Sequence, residues 1–231
     1  MRRDGAGYAY FGLYAEGGAK PGLKDGVNEK GLTVVTASAS SLPKSTRDAE
    51  PDKRGVLGLL LSRYATCDQV LAARESLFPK CRAEFLMISD RGKILVVETG
   101  LRGRYAIKTV DNGPATHTNH YLEKSLDDLN VRIGPSSAAR LGRVNALLGA
   151  CAAPCDAPAF AVLSRDQHDG PNNSLWRTGK EIRTLSSWIV ETPAAGAPKL
   201  RVALANPGEP ETTNTFILDE KFWKEGPAAR K

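Results

Sequence analysis

Three short runs, Ala83–Ser89, Ile94–Thr99 and Arg104–Val110, are apolar or β-branched and too short for stable helices. The segments between them, Asp90-Arg91-Gly92 and Gly100-Leu101-Arg102-Gly103, are tight turns rich in residues that let the backbone reverse. A chain that reverses twice over so few residues pairs its strands antiparallel, because a parallel pair needs a long crossover. An antiparallel meander is therefore the fixed point of the fold.

The flanking sequence is organised around it in blocks. Tyr8–Glu16 and Leu32–Ala39 read as strands, with a loop over Gly17–Gly26 between them. Ser41–Lys53 carries Pro43, Pro51 and dense charge and reads as an exposed loop. Val56–Tyr64 and Asp68–Leu77 have helical spacing, as do Ser136–Leu148 and Ala157–Ser164, whose separation is marked by Pro154 and Pro158. Strands return at Leu185–Glu191, Leu200–Ala205 and Thr215–Leu218, and the tail from Gly226 is expected to fray. Strands and helices in alternating blocks predict an α+β chain of antiparallel sheets with helices on their outer faces. With 231 residues it is expected to form one domain.

Composition removes several functions. The net charge of +6 is spread along the chain and mixed with acids, as in Lys44–Arg54, so no basic patch for nucleic acid stands out. No apolar run reaches the roughly 20 residues of a membrane span. Met1-Arg2-Arg3-Asp4-Gly5 is followed by no apolar segment, so no export signal is visible and the chain as given reads as cytoplasmic, the alternative being periplasmic or secreted with an upstream signal peptide. Cys67, Cys81, Cys151 and Cys155 are too scattered for a disulfide scaffold, and Cys151 and Cys155, spaced C-x3-C around Pro154, read as ordinary thiols with no second ligand pair for a metal. No glycine-rich strand-to-helix loop or paired His spacing calls for a cofactor or metal.

Several phrases then carry chemistry. Gly26-Val27-Asn28-Glu29-Lys30-Gly31-Leu32 is on its own a turn leading into a strand. Thr116-His117-Thr118-Asn119-His120 and Ser136-Ser137-Ala138-Ala139-Arg140-Leu141-Gly142-Arg143 follow in order, with the meander between the first phrase and the second. His168-Asp169-Gly170-Pro171, Ser174-Leu175-Trp176-Arg177 and Asn206-Pro207-Gly208 come after. Taken together, these resemble the N-terminal-nucleophile amide hydrolases of the choloylglycine hydrolase and penicillin acyltransferase kind, the later phrases the acyltransferase branch in particular.

The resemblance implies a four-layer αββα sandwich of antiparallel sheets and a nucleophilic N-terminal cysteine that needs no cofactor. Position 2 is Arg2 and no cysteine stands near the start, so the expectation is a chain lacking its nucleophile strand, inactive by itself and prone to self-association as a homo-oligomer through exposed strand edges. An N-terminal cysteine supplies its own base, since a neutral α-amino group near pH 7 can relay the thiol proton. A Cys-His arrangement is then unnecessary, although His117, His120 and His168 are present. By resemblance Asn119 is the oxyanion-hole donor, the alternative being a cap for the helix-like segment Tyr121–Leu129. Arg140 is the active-site arginine whose permanent charge favours a thiolate, whereas Arg143 reads as solvated or paired with an acid. Ser38 lines the pocket at a strand end and Arg177 contacts the acyl or carboxylate end of a substrate, or else is an exposed loop residue. The expected ligand is a small-molecule amide or acyl compound. A non-catalytic binding protein keeping the same fold and pocket is the alternative.

Overall fold

The meander is the end of a seven-stranded antiparallel sheet in which every strand pairs with its sequence neighbour, in the order β1 to β7. The computed structural model describes residues 1–3, 5–16, 21–50, 55–151 and 155–227. These divide into two units, Met1–Ile133 and Gly134–Lys231.

In the first unit the strands are β1 (Arg2–Arg3), β2 (Ala9–Ala15), β3 (Gly22–Asn28), β4 (Thr33–Ser38), β5 (Glu84–Ser89), β6 (Ile94–Thr99) and β7 (Tyr105–Val110). β3 corrects the loop expected between β2 and β4, of which residues 17–20 lie outside the described part. Its glycines and charges look turn-like, yet the strand is dictated by register: Gly26 lies opposite Gly12 of β2, where a Cβ on Gly12 would collide with the Asp25 carbonyl. Between β4 and β5 come α1 (Lys44–Asp48), α2 (Leu57–Arg63), α3 (Cys67–Ala72) and α4 (Arg74–Leu77). α1 corrects the expectation of a pure loop there, and residues 51–53 of that loop lie outside the described part.

The period-two alternation of the strands separates two cores. Val34, Leu86, Ile88, Leu95 and Val97 pack with Leu57, Leu60 and Leu61 of α2 and with Val70 and Phe78. Each fully buried Leu, Ile or Phe of this cluster stabilises the fold by about 1.5–3 kcal/mol. Phe85, Ala39, Leu42, Tyr121, Leu126 and Leu129 form the second cluster, against which Ala37 packs. The first cluster ties α2 to the sheet, and the second holds the segment that carries Asn119.

Asn28 explains the turn of the first quoted phrase. Its Oδ1 accepts from the Lys30 and Leu32 amides, both at 3.0 Å, and its Nδ2 donates to the carbonyls of Leu61 at 2.9 Å and Tyr64 at 2.8 Å. Gly31 follows at φ 88°, a conformation that glycine adopts without steric cost.

The second unit has α5 (Pro135–Ala150), α6 (Ala157–Leu163), α7 (Gly170–Asn173), the strands β8 (Ser186–Glu191), β9 (Lys199–Leu204) and β10 (Thr212–Ile217), and α8 (Glu220–Glu225). The strands make a three-stranded antiparallel sheet in the order β10, β9, β8. Leu200, Val202, Leu218 and Phe222 are among its buried apolar residues, with the Phe222 ring 5.8 Å from that of Phe216. α8 starts on Asp219, whose side chain accepts from the Phe222 amide at 2.8 Å. Two antiparallel sheets with helices give the mixed α/β architecture expected from the sequence. No helix among the described residues is long and apolar enough to cross a membrane. The last residues of the tail, 228–231, lie outside the described part.

Candidate active site

Asn119 and Ser38 meet in the first unit. Ser38 ends β4 at the surface, and its carbonyl accepts a hydrogen bond of 3.0 Å from Asn119 Nδ2. The Asn119 carbonyl in turn accepts from the Ser41 amide at 3.1 Å. A carboxamide nitrogen carries two hydrogens, so the bond to Ser38 orients a neutral donor whose charge does not change with pH.

The loop holding Asn119 is strapped to the sheet by a buried carboxyl. Glu98 of β6 has no solvent exposure. Its Oε1 lies 2.9 Å from His117 Nε2 and accepts from the Leu122 amide at 2.8 Å, while Oε2 accepts from the Glu123 amide at 3.2 Å. His117 Nδ1 faces the Thr118 carbonyl at 2.9 Å, which fixes the ring between the loop backbone and Glu98. Phe85 packs its ring 4.3 Å from His117 and edge-on 4.9 Å from Tyr121. Tyr121 Oη donates to the Thr99 carbonyl at 3.0 Å, and burial pushes this hydroxyl well above the usual phenol range. Asn119 is not a helix cap: the helical turn that follows, Lys124–Leu129, begins on Glu123 with no side-chain cap.

None of the four cysteines is placed as a nucleophile. Cys67 and Cys81 are fully buried. Burial, and then the neighbouring Asp90 carboxylate, push the Cys67 thiol up to about 12, the opposite of what a nucleophile needs. Cys151 and Cys155 are joined in a disulfide, which corrects their reading as ordinary thiols. Residues four apart at the end of a helix can bring their sulfurs together, a geometry that spacing alone does not reveal.

Arg140 and Arg177 are neighbours in the second unit. Arg140 stands in α5 one turn after Ser136, to whose Oγ its Nε donates at 3.3 Å, and Ser136 Oγ donates to the Asn172 carbonyl of α7 at 3.0 Å. Burial, and then repulsion from Arg177, hold Arg140 down at about 10, so it stays charged at neutral pH. Arg143 is paired, its guanidinium reaching both oxygens of Asp166 with a shortest bond of 2.6 Å, in agreement with the sequence reading. A separate open cavity of about 320 Å³ lies between α6 and the sheet, lined by Ala161, Ser164, Arg165, Ser187 and Arg201 among others; neither Arg140 nor Arg177 lines it. Among the described residues no cluster of His, Cys, Asp and Glu could hold a metal ion.

Residues 2–209 match the model of the acyl-coenzyme A:6-aminopenicillanic acid acyl-transferase family. The chain belongs to that acyl-transferase family. No curated protein matches it. Two solved structures of the conjugated bile acid hydrolase from Clostridium perfringens, both of substituted forms, are similar to it. One has 14% identity over 91% of this chain and 77% of the hydrolase, with a TM-score of 0.49. The other has 15% identity over the same shares, with a TM-score of 0.46.

For this acyl-transferase family member, the structure brings Ser38 into contact with Asn119, and Arg140 within electrostatic reach of Arg177. Sequence reasoning missed Glu98 and His117 as the strap that positions the Asn119 loop. A signal for Glu98 existed: it is the one acid in the apolar run Ile94-Leu95-Val96-Val97-Glu98-Thr99, and an acid inside a buried strand requires partners.

Proposed function

We propose that this protein breaks a linear amide through an acyl-cysteine intermediate and passes the acyl group to water or to an amine. The observation that carries this reading is the family match over residues 2–209. The activity that the family's description names is the movement of an acyl group between two acceptors, which requires an acyl carbon attacked by one nucleophile and relayed to another. In the first half-reaction the sulfur bonds the carbonyl carbon, the C–N bond breaks, and the thiol proton leaves on the amine through the nucleophile's own α-amino group. In the second, water or an amine attacks the thioester and restores the thiol.

Asn119 donates to the oxyanion of each tetrahedral intermediate, and Arg140 supplies a fixed positive charge that favours the thiolate. Ser38 and Arg177 contact the substrate. None of Cys67, Cys81, Cys151 and Cys155 is placed to be that nucleophile, because two of them are buried and two are bonded to each other. A phenylacetyl or fatty-acyl amide, followed by release of the free acid, tests the reading. Asn119→Ala is expected to lower kcat about 100- to 1,000-fold with little change in KM, since the donor acts on charge that develops only in the transition state. Binding of the amide without any release would instead favour a binding protein on the same fold.

A further inference from the structure

The cavity beside α6 takes its chemistry from the two-residue period of the sheet. Ser187 and Ile189 of β8 stand opposite Ala203 and Arg201 of β9, so these four side chains leave one face of the sheet, while Leu200 and Val202 leave the other. α6 and the turn after it add Ala161, Ser164 and Arg165, and together they enclose about 320 Å³ open to solvent. Ala161 and Ala203 leave the room, since a longer side chain at either would occupy part of it. A space of this size is at the lower end of those that take a small molecule.

The polar groups around it are ordered by the protein itself. Ser187 Oγ donates to Ser164 Oγ at 3.2 Å, and Ser164 Oγ donates to the Ala161 carbonyl at 2.9 Å. Both hydroxyl hydrogens are used, and Ser187 Oγ offers the cavity lone pairs only. Arg165 is also committed: it forks on Glu211, with Nη1 2.7 Å from Oε2, and its guanidinium lies 3.7 Å over the Trp176 ring. Arg201 differs. It is exposed, none of the lining residues is an acid, and among the described residues no carboxylate pairs with it. Glu191, on the same face of β8, stands opposite Lys199 instead. The guanidinium of Arg201 therefore keeps its planar fork, which matches a carboxylate with two parallel N–H donors.

We propose that this cavity binds a small organic acid with an apolar body and a hydrogen-bond donor at the end remote from its carboxylate. The carboxylate takes the fork of Arg201, the body lies against Ile189 and the two alanines, and the donor reaches Ser187 Oγ. Ile189, opposite Arg201, is two residues from Ser187 along the strand, about 7 Å, a separation that a para-substituted aromatic acid spans. The assignment is independent of the proposed amide chemistry, which uses none of these residues.

The test is calorimetric titration of the full chain with 4-hydroxyphenylacetate, phenylacetate, 4-hydroxyphenylacetamide and inorganic phosphate. The hydroxy acid should bind about tenfold or more tighter than its carboxamide, the gain typical of a charge-assisted hydrogen bond. It should bind about two- to tenfold tighter than phenylacetate, which lacks the donor. Arg201→Gln should lose the preference for acid over carboxamide and melt as the wild type does, having no partner to lose. Ser187→Ala should lose only the preference for the hydroxyl, and Ala161→Phe should abolish binding by filling the space. Equal binding of acid and carboxamide, no binding of either, tighter binding of phosphate than of the hydroxy acid, or a charge preference that survives Arg201→Gln would each overturn the assignment. An Arg201→Gln that melts well below the wild type would do so too, because the guanidinium would then already be used by the fold.

Discussion

Asp25 shows how a single carboxyl contributes to the pH dependence of the first unit. It lies on β3 with its Oδ1 accepting from the Thr36 amide at 3.0 Å. Burial raises it to about 6, only partly offset by that hydrogen bond and by Lys24. Below its unfolded value, about 4, the group is protonated in both states and its contribution to stability is complete. As pH rises through about 6 the folded protein must ionise a buried acid, and that contribution is lost. Asp25→Asn keeps the acceptor and removes the charge. It should therefore be more stable than the wild type by about 1–3 kcal/mol at about pH 7.5, with the difference vanishing near pH ~4 in urea titrations. An unchanged difference at the two pH values would contradict this. Nothing in the sequence marks Asp25, because its burial comes from a strand that its own glycine-rich neighbourhood does not suggest.

At the level of elements, the turn between β3 and β4 is where local sequence and tertiary packing meet. Asn28 closes the turn on one side and satisfies two carbonyls at the end of α2 on the other, groups that a helix leaves without internal partners. Asn28→Ala should cost about 2–4 kcal/mol by loss of those bonds in a buried setting, read as a lower urea midpoint with unchanged slope. Asn28→Asp should lose at least as much, because it presents a charge to two carbonyl oxygens. The turn itself was legible from the Asn and Gly that backbone geometry demands there. The attachment to α2 was not, since it joins residues 33 and 36 apart in the chain. The same division holds elsewhere: β5, β6 and β7 follow from alternation and tight turns, whereas β3 and the Cys151–Cys155 disulfide depend on partners that spacing does not name.

For the whole molecule, family membership was readable from the order of several phrases, each of them weak alone, because they recur in a fixed sequence around the meander. Asn119 and Arg140 were legible as candidates for the same reason. Their surroundings were not: the Glu98–His117 strap and the half-burial of Arg177 come from packing, which residue types do not encode. The account turns on none of Cys67, Cys81, Cys151 and Cys155 carrying the acyl group, two being buried and two bonded to each other. Incubating the protein as its own cells make it with an activated phenylacetyl ester, then locating the adduct by peptide mass spectrometry, measures this directly. The predicted result is no acyl group on Cys67, Cys81, Cys151 or Cys155. Acylation of one of those four would contradict it.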